Sequence, residues 1–433
     1  MRKMILAAFL SVLVLPALAQ PSAEPPAVAQ LRRLLGPGAT LAYGTATATD
    51  VQGSAALTAV VLTRGAETIR IAEARLDGLR DDGIARLSLR EIQIGGGQVT
   101  ATLDRLDLEG LTVRQDRGGR PPRPSDVSAD LLRLENWRSA GRSPVNIGAI
   151  SVENFGGGRA GSANLTALEV GLSGGMLDRL TIARIAFGGL DAAEVLSAIM
   201  EQRQPAARSG SSSLDIESVT LSQGGNVIGR LGSLTARGEA TPGRSPTGSL
   251  ALRGLEVNAA PPYAEWMRRL NYTSLRAEAR MEATHDISTG VLDIPVLSVE
   301  LRDAGELGLA LRADNIPEHM DPQRAAEIRL ISARLRYADF SLFRRWVRTT
   351  AEREGVPEES FRQRLVEQAG AILNGPRLAA AREAAQRFLR GEATALELAA
   401  NPGAPVALMR LQQKPPANLA GWQDLLGLTL TAR

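Results

Sequence analysis

Residues 87–111 read LSLREIQIGGGQVTATLDRLDLEGL, and this stretch decides the fold. Aliphatic side chains alternate with polar ones on both sides of Gly95-Gly96-Gly97, and the second half carries the spacing Leu103-x-x-Leu106-x-Leu108. Alternation at period two puts one face of a strand in a core and the other in water, the signature of antiparallel sheet. The glycines supply the positive φ that a tight reversal needs. The stretch is therefore a long hairpin. The same outline returns at 147–172 (IGAISVENFGGGRAGSANLTALEVGL), at 214–238 (LDIESVTLSQGGNVIGRLGSLTARG) and, more loosely, at 292–316 (LDIPVLSVELRDAGELGLALRADNI). The reversals are Gly156-Gly157-Gly158 and Gly224-Gly225 in the second and third copies. Copies so far apart, with other elements between them, predict successive additions to one extended sheet and not a propeller or a short-period solenoid.

Helical segments interrupt the strands. Residues 191–203 begin with the capping residue Asp191 and place Val195, Leu196, Ile199 and Met200 on one side. Residues 261–270 open on prolines, with Tyr263, Trp266, Met267 and Leu270 sharing a side. Residues 128–137 read as a third helix. The polar stretches 114–126 and 204–213 read as exposed loops. From residue 339 the pattern is helical: 341–354 carries Leu342, Phe343, Trp346, Val347 and Thr350 as a stripe, 358–373 carries Phe361, Leu365, Ile372 and Leu373, and 377–390 follows Gly375-Pro376. Residues 394–399 and 426–432 alternate again and are expected to return to the sheet. The fold class is α+β: an extended antiparallel β-sheet built from long hairpins, with inserted helices and a C-terminal helical region. The divisions are a leader at 1–19, an N-terminal segment at 20–38, a β-rich body at 39–339 and a helical region with closing strands at 340–433.

The leader sets the expected address. Arg2 and Lys3 precede the apolar run 4–15, and Pro16 precedes the small-residue triplet Ala17-Leu18-Ala19. This is the plan of a secretory signal peptide cut before Gln20, and the run is short for a span, which takes about 20 apolar residues. An uncleaved anchor is the alternative. Removing Arg2 and Lys3 lowers the formal charge from +3 to +1.

Composition removes several functions. The chain has no cysteine, so disulfides, thiolate chemistry and lipoprotein acylation are excluded. His285 and His319 lie far apart in sequence, and neither has a partner at metal-binding spacing. No Gly-x-Ser-x-Gly elbow and no phosphate-binding glycine loop occurs. With aromatics at 3%, basic runs lack the interleaved stacking residues that nucleic-acid binding requires, and the aromatic girdles of an outer-membrane barrel are missing too. Asp81 and Asp82 read as a turn, while Asp104, Asp107 and Glu109 read as the wet face of a strand whose Leu108 points inward. No catalytic residue, metal ligand or cofactor-binding residue is assigned. Arg344, Arg345 and Arg348 admit two readings, a solvated basic helix face or an interfacial helix that meets anionic headgroups.

The run 263–317, followed by ARLRYADFSLFRRWVRTTAEREGV at 333–356, carries Asp286-x-x-Thr289-Gly290-x-Leu292, Asp303-Ala304-Gly305 and Tyr337-x-Asp339. On these residues the second half of the chain resembles exported, β-rich proteobacterial proteins distantly similar to the AsmA-like and YdgA-like families. The resemblance implies a periplasmic address, a long antiparallel sheet and a role near envelope lipids, and it brings no catalytic residues. The expected function is a non-enzymatic envelope protein that binds a lipid or an envelope protein along the apolar face of its sheet. The alternative is a structural adaptor whose sheet is fully packed. If the leader is processed, intact-mass analysis of fractionated cells will find a soluble chain starting at Gln20; full-length protein in a carbonate-resistant membrane pellet would contradict this.

Overall fold

The computed structural model describes residues 24–433 except 36–37, 49–51, 97–99, 115–122, 174, 204–208, 242–244, 262, 317–326 and 414. The leader at 1–19 and His319 lie outside the described residues. The fold is α+β, an antiparallel sheet of long hairpins with inserted and C-terminal helices. The chain divides into two compact units, one of residues 1–208 and 212–226, the other of 209–211 and 227–433.

In the first unit, helix α1 (Pro26–Leu35) precedes the short strands β1 (Ala39–Ala42) and β2 (Thr45–Ala48), which both pair with β3 (Ala55–Arg64). A meander of nearest-neighbour hairpins follows: β4 (Glu67–Arg80), β5 (Gly83–Gly95), β6 (Thr100–Val113), β7 (Val127–Ala140), β8 (Val145–Phe155), β9 (Gly161–Gly171), β10 (Arg179–Leu190) and β11 (Gly210–Gln223). The register aligns aliphatic side chains into ladders running across all these strands. One passes Leu57, Ala74, Leu89, Leu106, Leu134, Ile150, Leu165, Ile185 and Ile216 without a polar interruption.

The strands are too long to alternate strictly. Along β6 the inward residues are Ala101 and Leu103, then Leu106 and Leu108, then Leu111 and Val113, so the phase slips by one residue after every second inward position. At ten of these slips the residue just before the next inward side chain has positive φ: Ala59, Gly78, Glu91, Gly110, Asn136, Asn154, Ala167, Gly189, Ser218 and Gly254. A left-handed residue turns the strand so that two successive side chains face outward before the aliphatic face resumes, and it bends the strand. The partner slips at the same level, so inward side chains stay opposite: Ile71 faces Ile92, Glu73 faces Arg90 and Ala74 faces Leu89. Backbones come close at these points. Ala167 lies level with Gly148, where an added Cβ would sit 2.9 Å from the Ala167 Cβ. Asn136, a residue type that tolerates this conformation, also donates from Nδ2 to Asp104 Oδ2 at 2.9 Å.

The second unit repeats the plan with β12 (Asn226–Ala240), β13 (Thr247–Asn258), β14 (Ser274–Asp286), β15 (Val291–Leu301), β16 (Gly305–Asp314), β17 (Arg329–Asp339), β18 (Ala395–Ala400) and β20 (Leu428–Ala432), while β19 (Val406–Ala407) pairs with β17. Its helices are α3 (Ala264–Arg269), α4 (Leu342–Glu354), α5 (Glu358–Ile372), α6 (Ala379–Arg390), α7 (Leu408–Gln413) and α8 (Leu419–Leu426); α2 (Ala192–Glu201) belongs to the first unit. The closing strands rejoin the sheet, β18 beside β17 and β20 beside β18, as their alternation predicts.

Three expectations are corrected. Residues 128–137 are not a helix but lie within β7. The phase slip sets Ala129 and Leu132, and again Leu134 and Trp137, three residues apart, a spacing that imitates a helical face. Residues 210–213 of the expected loop are the start of β11. Helix α2 is present and capped by Asp191, whose Oδ1 accepts from Ala193 N and Glu194 N, but it buries Ala192, Ala193, Ser197 and Ala198, leaving Ile199 and Met200 outside. Its start lies so close to the turn at Gly156 that only alanine-sized side chains fit, a Cβ there reaching within 3.3 Å of Ala193.

The turns differ in what they tolerate. Gly96 (φ 90°) abuts the Ala66 carbonyl oxygen, whereas Gly157 (φ 67°) has Ser128 Cβ as its nearest neighbour at 3.6 Å. In urea melts Gly157→Val should cost about 1 kcal/mol, and Gly96→Val clearly more, because a backbone clash adds to the strain. Gly308→Ala, with open space around its Cβ, should be close to neutral.

Candidate apolar binding face

The aliphatic ladders give each unit one apolar face, and the question is what covers it. In the first unit α1 covers the beginning. Val28 is fully buried, and Leu31, Leu34 and Leu35 join it in a cluster with Leu57, Ile71, Ile92, Leu103 and Leu106. Polar contacts fix this helix. Glu24 Oε1 accepts from Arg32 Nη2 at 2.8 Å and from the Tyr43 hydroxyl at 2.9 Å, Arg32 Nη1 donates to the Leu41 carbonyl at 2.7 Å, and Gln30 donates to Asp81 at 3.0 Å. Leu108 packs against the same cluster, so it is a core position. Farther along, Ile150, Val152, Leu165, Ile185, Phe187 and Ile216 are half-buried.

In the second unit both ends of the apolar face are closed and the middle is open. At one end α3 packs Met267 and Leu270 with Tyr272, Ala304, Leu275, Leu301 and Leu342. At the other, Leu426 and Trp422 of α8 close over Leu311, Leu330, Ala333, Ala400 and Leu428. Between them run two ladders, Met281-Leu297-Leu309-Leu335-Leu398-Leu430 and Ala279-Val299-Leu307-Tyr337-Leu396-Ala432. Phe388 of α6 covers Tyr337, their rings 6.1 Å apart edge to face. The neighbouring positions lie open, with Val299 41%, Leu307 48%, Leu335 39% and Leu398 38% exposed. Burying such a side chain is worth about 1.5–3 kcal/mol, so two open pairs on adjoining ladders, Val299 with Leu307 and Leu335 with Leu398, are a standing site for apolar matter.

The opposite faces are charged and solvated. Ser88 Oγ donates to Asp107 at 2.7 Å and Arg86 pairs with Glu109 at 3.2 Å, so these carboxylates sit where the alternation places them. Arg276 pairs with Glu256 and Arg334 with Glu397. A polar cleft of ≈ 390 Å³ lies over Thr284, Asp286, Thr289, Val291, Asp293 and Arg312. Its Asp286 is a turn residue: the carboxylate accepts from the Ser288 hydroxyl and amide and from the Thr289 amide, and the Ser288 hydroxyl, first among these, holds its pKa below the usual value. His285 sits on β14 with no second histidine among the described residues close enough to share a metal, and no group of three His, Asp or Glu side chains there gathers as a metal site.

The motif residues quoted above prove to be structural devices of the second unit. The Ala304 carbonyl accepts the amides of Phe340, Ser341 and Leu342 at 3.0, 3.0 and 2.9 Å and so seats the start of α4. Asp339 Oδ1 accepts the Phe343 amide at 2.7 Å and the Tyr337 hydroxyl at 2.8 Å. Burial first, and then the Asp339 carboxylate, push the Tyr337 pKa up. Of the three arginines, Arg344 and Arg348 are exposed, but Arg345 is an internal clamp. Its Nη1 donates to the carbonyls of Leu270 and Asn271 at 3.1 and 2.7 Å, and its guanidinium stacks 4.4 Å from the Tyr272 ring.

Residues 298–433 match a family model described as "Uncharacterized protein". No curated protein matches the chain. The matched stretch begins within β15 and includes β16–β18, α4 and α8, and so contains most of the open strip. Among the described residues no helix is long and apolar enough to cross a membrane.

The Arg32 hydrogen bond is the main reason that the Glu24 pKa lies below its ordinary value; burial opposes it, and the Tyr43 hydroxyl adds to the lowering. A carboxyl depressed in the folded state stabilises fully above its unfolded pKa, about 4.3, and the stabilisation is lost as pH falls through the lower folded value. Glu24→Gln should therefore cost about 1 kcal/mol at pH 7, and wild type and variant should converge in paired melts taken down toward pH 3.

Proposed function

We propose that this protein is a non-enzymatic, periplasmic lipid-binding protein of the cell envelope, exported by the leader at 1–19, that holds acyl chains against the open aliphatic strip of its second unit. The observation that supports this reading is the strip of Val299 and Leu307 on one ladder and Leu335 and Leu398 on the next, exposed between two sealed ends. From β15 to β18 the strip crosses three strand spacings, about 14 Å, which suits an extended hydrocarbon chain lying across the strands. Each methylene taken out of water there contributes about 0.8 kcal/mol. The strip has no charged residue on its ladders, so it selects for apolarity and not for a particular headgroup. The resemblance to AsmA-like and YdgA-like proteins supports the envelope address. The adaptor reading, a sheet sealed by its own helices, is favoured for β3–β6, where α1 leaves Leu57, Leu103 and Leu106 fully buried.

The test separates binding from folding. Because Leu307 and Leu335 are exposed, Leu307→Arg and Leu335→Glu should change stability by no more than about 0.5 kcal/mol. Wild type should carry co-purified lipid by native mass spectrometry and should take up a fluorescent fatty acid, and both variants should lose at least tenfold of that uptake. Leu108→Glu, by contrast, should unfold the first unit's core. Wild-type protein that is free of lipid and does not take up the fatty acid would overturn the reading.

A further inference from the structure

The outward face of β14–β17 carries two charged rows side by side. Residues that alternate with the inward ladders stand abreast across these strands: Arg280, Ser298, Gly308 and Arg336 in one row, Glu278, Glu300 and Glu306 in the next. Elsewhere on the outward faces such neighbours are joined, as Arg133 is to Glu135 along one strand at 2.8 Å and Arg276 to Glu256 across strands at 3.5 Å. Here they are not. Among the described residues no ion pair reaches Arg280, Arg336 or any of the three glutamates; Arg280 Nε donates instead to Ser298 Oγ at 3.2 Å, and Arg334, two residues from Arg336 on the same face, is held by Glu397 at 3.5 Å. Like charges directly opposite one another across strands destabilise a sheet, so the glutamate row is a cost that the neighbouring arginines leave uncompensated.

A hollow lies where the rows meet. Gly308 leaves the arginine row without a side chain, a Cβ built there meeting nothing within 4 Å, and the space of ≈ 170 Å³ over it has Arg280, Arg334, Arg336 and Ser298 in its lining, with Glu306 on the acidic side. We infer that this hollow binds a small phosphorylated amine, a soluble zwitterion of the O-phosphoethanolamine type, with its phosphate over Gly308 among the guanidiniums and its ammonium on Glu306. Guanidinium groups match phosphate oxygens in pairs, which favours phosphate over a simpler anion. Glu306 lies two residues along the strand, about 7 Å away, within reach of an amine two carbons from the phosphate. A bare anion would meet Glu306 and the glutamates beside it, and a bare cation would meet the arginines; a molecule that carries both charges is attracted by both rows. The hollow is on the opposite side of the sheet from the apolar strip, so a lipid held there by its chains cannot set its headgroup here. The occupant is therefore a soluble molecule, and the inference does not rest on the lipid-binding reading.

The experiment titrates the purified full-length mature chain by calorimetry, at low salt where exposed charges are least screened, with O-phosphoethanolamine, inorganic phosphate and ethanolamine in turn. The zwitterion should bind at least tenfold more tightly than either half. Gly308→Val fills the hollow without changing any charge, and should cost at least tenfold in affinity with the melting temperature retained, because the space around that Cβ is open. Arg280→Gln with Arg336→Gln should lose a similar factor. Glu306→Gln should act in opposite directions, weakening the zwitterion at least fivefold and strengthening inorganic phosphate, a crossing that a merely structural role would not produce. No binding of the zwitterion, equal binding of inorganic phosphate, or undiminished binding by Gly308→Val would overturn the inference. So would flotation with phosphatidylethanolamine vesicles in the absence of binding to the soluble zwitterion, which would assign the charged rows to a membrane. Leu307→Arg should bind the zwitterion as wild type does while failing to take up fatty acid; a wild type that binds the zwitterion and takes up no fatty acid would sink the lipid-binding reading alone.

Discussion

The constraint on which the molecule depends is that strands of 10–15 residues must keep their aliphatic side chains on one face. A twisted strand that alternated strictly over such a length would carry its apolar row progressively away from its neighbours' rows. The left-handed residues solve this. Each resets the phase after two inward positions, and because facing strands reset at the same level, the ladders pass unbroken from strand to strand. Residues such as Glu91 and Ala167 hold an unfavourable backbone conformation, a cost of about 1–3 kcal/mol each, offset by the aliphatic pairs that the reset aligns. Gly148 opposite Ala167 and Ala85 opposite Gly78 follow from the same geometry, since the backbones approach too closely there for larger side chains.

Ladders on one face make covering that face a separate problem, and the two units handle it differently. In the first, a helix held by Glu24, Arg32 and Tyr43 is laid over the early strands, and the result is an ordinary core. In the second, helices gather at the ends of the strands. Ala304 and Asp339 fix where α4 starts, Arg345 ties it to α3, α8 closes the far end and Phe388 of α6 covers Tyr337, so that Val299, Leu307, Leu335 and Leu398 are left open on the ladders between. The apolar strip is thus a consequence of where a few hydrogen bonds seat the helices.

That arrangement also explains why conventional chemical sites were not found in the sequence. Carboxylates and arginines are spread over the outward faces as ion pairs between neighbouring strands, worth little individually and held apart by the strand spacing. Asp286, Ala304, Tyr337 and Asp339, which carry the resemblance, proved to be turn and cap devices. What sets this surface apart is an absence of charge along aligned rows, and a motif search has nothing to register there.

By itself the sequence determined the strands, their glycine turns, the Asp191 cap and the return of the last strands, because alternation, left-handed glycines and capping are local physics. It also carried the kinks, in the Leu-x-x-Leu-x-aliphatic spacing, although that spacing imitates a helix wherever a slip sets apolar residues three apart, as at Ala129 and Leu132. The tertiary structure alone decided exposure. Val195, Leu196, Ile199 and Met200 look like the inner side of a helix, yet the alanines face inward because the neighbouring turn is too close for larger groups. Leu307 and Leu103 are both inward residues of alternating strands, and one is open while the other is sealed. The difference lies in helices distant in the chain, and burial is a property of what returns to cover a face, which no local pattern encodes.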